Sequence, residues 1–212
     1  MANPSIEELQ GSGEFELIAE LEHSQIKEFV IDQLSTDNRL ARQYMYYQVV
    51  MVILGIFLIT RSVVLLFRGN SEPLLYSLGG LVFSFSVLIP VHELLHGFSI
   101  KLTGARKVNY GAYLRKFIFY AEADRHVLNR KQFSFVALAP LVTVQFLTLL
   151  GIILLWYSVW VYSVAMIMSA HSLFCAGDIG LLSVFYTAGK DDIYTFDVKS
   201  EKKSYYYQRK TS

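Results

Sequence analysis

Charged residues vanish from long stretches of this chain and crowd into others. Between Lys131 and Asp178 there is no Asp, Glu, Lys or Arg. As a single helix that stretch would be about twice as long as a bilayer core is thick, so it predicts two membrane spans, about 133–156 and 160–186. The turn between them falls at Trp156-Tyr157-Ser158-Val159-Trp160, where clustered aromatics suit a membrane interface. Two further apolar runs predict spans at about 44–67 and 74–97. Arg61 interrupts the first, and near a helix end it can snorkel to the interface. The expected fold is mainly α, a polytopic membrane protein with four transmembrane helices.

The polar segments fill in the rest. Residues 1–43 carry nine acidic and three basic residues. Ser5 with Glu8 matches a capping box, and Ile26, Phe29, Val30 and Leu34 recur at helical spacing, which predicts an acidic helical leader. Between the second and third spans lies an insert, 101–132. Within it Val108–Tyr113 and Phe117–Glu122 are rich in aromatic and β-branched residues and flank Leu114-Arg115-Lys116, the pattern of a short β-hairpin. Such a hairpin has an edge that could take an extended peptide as an added strand. Residues 187–212 read as a polar tail, and the Tyr205-Tyr206-Tyr207 cluster suggests no role.

Composition agrees with a membrane protein, at 53% hydrophobic residues, and the distribution of charge orients it. The insert holds Lys101, Arg106, Lys107, Arg115, Lys116, Arg125, Arg130 and Lys131 against only Glu122 and Asp124. By the positive-inside rule it is cytoplasmic, and with four spans both termini are cytoplasmic too, in a plasma membrane. A basic loop of this kind is a product of topology, so no nucleic-acid partner is expected. The lipid bilayer and a membrane-protein or peptide substrate are. Residues 1–40 lack the basic start and apolar core of a cleavable signal, so the first span is expected to direct insertion. The single cysteine, Cys175, excludes an intramolecular disulfide and reads as a small packing residue.

The chemistry lies at the end of the second span, in His92-Glu93-Leu94-Leu95-His96. Two histidines four apart share one helix face and can reach one ion, while the adjacent glutamate can reach a water on that ion. Zn2+ suits imidazole and carboxylate ligands and activates water near neutral pH, which makes Glu93 a general base and not a ligand. A third ligand must come from elsewhere. Counted at helical rise from the outer ends of their spans, His92 and Asp178 each lie eighteen residues down, at matching depth near the cytoplasmic side. An ionisable group in an apolar span is a functional candidate in itself, which favours Asp178. His171, two turns before Asp178, falls roughly 10 Å further from His92 along the axis. It is a candidate contact to a substrate carbonyl or oxyanion, or a neutral histidine satisfied by a neighbouring helix. His23 and His126 lie outside the spans and make no comparable case.

Pro90-Val91-His92-Glu93-Leu94-Leu95-His96-Gly97, the basic strand-like insert, Leu138-Ala139-Pro140-Leu141 and Cys175-Ala176-Gly177-Asp178-Ile179 together resemble the zincin peptidase family of membrane proteins. That family is itself similar to the site-2 protease type of intramembrane zinc metalloprotease. The resemblance covers about Leu74 to Tyr186. It implies zinc on His92, His96 and Asp178, with Glu93 as base, in three successive spans. Gly177-Asp178-Ile179 departs from the Leu-Asp-Gly signature of the site-2 type, and His171 stands where relatives tend to carry asparagine.

The function expected is a membrane-embedded zinc metallopeptidase that hydrolyses a peptide bond of a membrane-associated protein near the cytoplasmic face, using zinc-activated water. The alternative is a catalytically silent metal-binding membrane protein acting as an adaptor or regulator. Glu93 argues against it, because a structural metal site has no need of that carboxylate. Metal transport is a third class, but four spans with one clustered site offer no evident ion pathway.

Overall fold

A computed structural model of the chain describes residues 3–35, 38–113, 118–186 and 192–210. It divides into two compact units. One comprises Met1–Ala41, Glu93–Ala139 and Gly177–Ser212, and the other Arg42–His92 and Pro140–Ala176.

The second unit is helical. Helix α3 runs over Arg39–Phe67, α4 over Glu72–Ser86, α5 over Leu88–Leu102, α6 over Arg130–Leu154 and α7 over Trp160–Phe174, with α3, α5 and α6 continuing from one unit into the other. Among the described residues, three helical stretches are long and apolar enough to cross a membrane: Arg39–Phe67, Arg130–Leu154 and Trp160–Tyr186. A fourth, expected as one straight span over 74–97, is instead a pair, α4 and α5, bent by 47°. Val49, Val50, Ile53, Ile56 and Phe57 on α3, and Phe146, Leu147, Leu150 and Ile153 on α6, leave apolar side chains exposed, as helices facing lipid do.

Small residues bring these helices close. In α4, Ser77, Gly80 and Ser84 form a buried stripe. A Cβ added at Gly80 would stand 2.6 Å from the Ser163 carbonyl oxygen on α7. Without a hydrophobic force between helices in lipid, such close backbone approach and hydrogen bonding supply the association. Here Ser163 donates to the carbonyl of Tyr76 at 2.6 Å, and Ser169 to that of Met51 at 2.7 Å. Tyr162, Ala165 and Met166 pack with Leu58 beside them, and the guanidinium of Arg61 lies 5.9 Å from the Tyr162 ring centroid. That contact gives the charge in the first span a partner.

The first unit contains more β-structure than its sequence predicts. The leader is not only helical: between α1 (Ile6–Gly11, with the Ser5/Glu8 capping box) and α2 (Ile26–Ser35) runs strand β1, Phe15–Glu22. The tail holds two strands, β5 (Ile193–Val198) and β6 (Lys203–Arg209), and β4 (Leu128–Asn129) precedes α6. These form one antiparallel sheet in the order β1-β6-β5-β4. Strands alternate faces, so the tyrosine cluster divides between two cores. Tyr206 joins Ile193, Leu182, Phe185 and Ala137, while Tyr205 and Tyr207 join Leu9, Phe15, Phe196 and Val198. Helix α8 (Ala176–Ser183) supplies Leu182 to the first of these. The expected hairpin is present as β2 (Asn109–Tyr113) paired with β3 (Ile118–Glu122). Its turn at Leu114-Arg115-Lys116, with Phe117, lies outside the described residues.

His23, set aside on sequence, is buried in this unit, with Nδ1 3.8 Å from Glu122 Oε2 and its ring tilted against Tyr120. Asp197 on β5 accepts from the Ser204 hydroxyl at 2.6 Å. Burial raises its carboxyl to about 6, and the nearby Asp124 adds to the rise.

Two outcomes follow. Gly80→Val should lower the thermal unfolding midpoint in detergent, because overpacking costs about 1–3 kcal/mol and the atom it meets is backbone. An unchanged midpoint would refute a close α4–α7 interface. Asp197 has a folded pKa above its unfolded value, so its contribution to stability is full below about pH 4 and is lost as pH rises through about 6. The difference in midpoint between Asp197→Asn and wild type should therefore grow from pH 4 to 7 in favour of the variant and then level. A pH-independent difference would contradict this assignment.

Candidate metal centre

Helix α5 carries the His92-Glu93-Leu94-Leu95-His96 segment without a break. Its buried stripe is His92, His96, Ser99 and Ile100, and its opposite face leaves Leu94 and Phe98 exposed. The two imidazoles thus stand one turn apart on the covered face, with Cβ atoms about 5–6 Å apart as the i, i+4 relation dictates. Gly97 follows immediately, and the phenol of Tyr110 on β2 occupies the space that a side chain there would need.

His96 has a defined partner on each ring nitrogen. Nε2 lies 3.0 Å from Oδ1 of Asp178, in the first turn of α8, and Nδ1 lies 3.0 Å from the carbonyl oxygen of Val136 on α6. The second contact has a cause in the sequence. In an α-helix the carbonyl of residue 136 would accept from the N–H of residue 140, and residue 140 is a proline inside α6. Pro140 has no N–H to give, so the Val136 carbonyl is left to accept from His96 Nδ1–H. A backbone carbonyl accepts only, which places the proton of the neutral ring on Nδ1 and the lone pair on Nε2.

In the second unit, His92 Nδ1 lies 3.1 Å from Nε2 of His171, which is completely buried. This corrects the separation of roughly 10 Å along the axis. That figure assumed straight helices, but the path through α4 and α5 bends by 47°, and α7 ends at Phe174, with Cys175 as its cap. Cys175 is fully buried as well, and one ligand atom from each of His92, His171 and Cys175 falls within 4.8 Å of the others. Cys175, read on sequence as a packing residue, thus stands beside two histidines, and Pro140 frees a carbonyl. Their signal was the spacing: Cys175 is four residues after His171, and Pro140 four after Val136.

The residues around His96 fit a zinc ion. Two ligand atoms on a tetrahedral zinc are separated by about 3.3 Å, close to the spacing between His96 Nε2 and Asp178 Oδ1. Metal-ligating histidines characteristically donate their other N–H to a carbonyl or carboxylate, which fixes the tautomer and the ring plane, and Val136 serves that role for His96. Glu93, beside His92 and partly buried, is a carboxylate within the same turn.

Two histidines four residues apart on one helix face, with a glutamate beside the first, are the pattern of the metal-dependent peptidases called zincins. The family described as "Putative zincin peptidase" matches residues 85–193, just over half of the chain, and the chain belongs to it. Compared with curated proteins and with solved structures, the chain finds no significant match. Family membership points to metallopeptidase activity and to zinc as the ion.

If the missing N–H of Pro140 is what gives Val136 to His96, Pro140→Ala should weaken zinc binding several-fold by restoring a competing helical donor, without lowering the thermal midpoint of the metal-free protein. Chelator competition and thermal unfolding measure the two effects. Unchanged zinc affinity would remove Pro140 from the account of the site.

Proposed function

We propose that the chain is a membrane-embedded zinc metallopeptidase that cleaves a peptide bond in a membrane-associated protein near the cytoplasmic face. His92, His96 and Asp178 hold the ion, and Glu93 is the general base. The observation that carries the reading is the environment of His96, a tautomer fixed by the Val136 carbonyl with Asp178 at 3.0 Å from the nitrogen that bears the lone pair. When bound, zinc supplies a water acidified toward neutral pH and polarisation of the scissile carbonyl. Glu93 takes the proton from the attacking water and delivers it to the departing amine, which keeps both nucleophile and leaving group in usable protonation states. The carboxylate of Asp178 sits at the start of α8, where the helix dipole favours negative charge.

The topology proposed has four crossings, with both termini cytoplasmic. Pairing in the sheet supports it. β1 pairs with β6, and β4 with β5, so residues 22 and 128 share one side of the membrane. An even number of crossings must separate them. If α3 crosses, the bent α4–α5 pair crosses too.

The test is purified protein in detergent or bilayers with a panel of membrane-peptide substrates. Glu93→Gln should keep its zinc and lose cleavage by about a hundredfold or more. Normal zinc with no substrate whose cleavage depends on Glu93 would sink the peptidase reading. Asp178→Ala should lose zinc, and full zinc occupancy in that variant would remove Asp178 from the ligand set.

A further inference from the structure

His92 has two ring nitrogens, and the buried groups around Nδ1 decide which of them bears the proton. A neutral imidazole has one N–H and one lone pair. Where His92 Nδ1 meets His171 Nε2 at 3.1 Å, two arrangements are possible. If His171 donates, the proton of neutral His92 is on Nε2 and that nitrogen cannot ligate. If His92 donates, its Nε2 lone pair is available, and His171 must carry its own proton on Nδ1.

Ligation of the ion through His92 Nε2 requires the second arrangement, with His171 Nε2 as the acceptor within reach of Nδ1–H. Cys175, one turn on, has Sγ 3.7 Å from His171 Nδ1 and 3.9 Å from Nε2. The thiol has the His171 carbonyl oxygen, 3.5 Å away, as an acceptor. Nearly equal distances to the two ring nitrogens put the sulfur over the imidazole and off either N–H axis, so Cys175 packs against the ring and does not fix its proton. The parallel is His96, whose Nδ1 donates to the Val136 carbonyl.

We infer that His171 is a positioning residue for the metal site: through Nε2 it accepts from His92 Nδ1–H and so keeps the lone pair of His92 Nε2 available for the ion. Cys175 packs against the His171 ring. The inference rests on the zinc reading above, and it gives His92 the counterpart of what Val136 gives His96. It assigns His171 no contact with substrate.

The experiment compares full-length wild type, His171→Gln and His171→Leu in detergent. Zinc affinity is read by chelator competition, and the tautomer of His92 by long-range 1H–15N correlation in the metal-free protein. Loss of such an outer partner typically weakens metal binding 10–100-fold, which is the loss expected for His171→Leu, together with mixing of the His92 tautomers. Gln carries an acceptor oxygen at about the reach of a histidine Nε2, so His171→Gln should restore affinity to within several-fold and keep the Nδ1–H form. Leu at wild-type affinity overturns the inference, as does Gln as weak as Leu when both variants unfold at the same temperature. A cobalt-loaded protein with a thiolate charge-transfer band that disappears in Cys175→Ser also overturns it, by putting the ion among His92, His171 and Cys175. The peptidase reading fails separately: wild type that binds zinc normally and cleaves nothing leaves this inference standing, whereas wild type that binds no zinc overturns both.

Discussion

One backbone carbonyl, that of Val136, ties the helical architecture to the chemistry. Inside an apolar helix every carbonyl is normally consumed by the N–H four residues on, and little is left to orient a side chain from a neighbouring helix. Pro140 interrupts that bookkeeping at a single point. The cost of a proline within a helix, about 3 kcal/mol in an exposed interior, is reduced because the freed carbonyl finds a new donor in His96. The same exchange removes the rotational and tautomeric freedom of that imidazole. A helix imperfection and a ligand orientation are thus one event.

Serine extends this economy through the second unit. Ser62, Ser77, Ser163 and Ser169 are buried, and each donates to or shares a bond with groups on another helix or its own preceding turn. Their small size permits close backbones, and their hydroxyls meet carbonyls that lipid cannot solvate. A leucine-rich interface of the same length would hold the helices further apart, and His171 would then stand out of reach of His92.

Much of the helical part was legible from the chain because apolar runs of membrane length admit few alternatives. The ends of the third and fourth runs agree with the helices within a few residues, and the aromatic turn at 156–160 lies where the chain reverses. The bend near Val87 was not legible. Pro90, in the first turn of α5, marks its place by having no N–H for the Ser86 carbonyl four residues back, but gives neither angle nor direction, and without the bend a residue count along straight rods separates His171 from His92. The strands of the first unit were misread for a different reason. In Phe15–Glu22 the alternation of apolar and acidic residues is broken by Leu17-Ile18-Ala19, where the β1–β6 register shifts, so no uninterrupted period of two marks the strand. In β5 and β6 both faces are covered, so alternation disappears and consecutive tyrosines look unpatterned. Of the site, the motif and Asp178 could be read from residue type and spacing. The partners that hold the rings could not, because a carbonyl has no residue identity and His171 becomes adjacent only after the helices bend.

The pairing of β1 with β6 has a consequence for how the protein is made. Phe15 sits opposite Arg209, and Glu22 opposite Lys203, so β1 finds this neighbour only after the helices between the two strands have been synthesised. Until then β1 has no ladder to join, and its backbone donors and acceptors stay with water or with a chaperone. Closing the sheet is thus a late event that reports on all that came before. A chain cut short before Lys203 would leave β1 without that ladder.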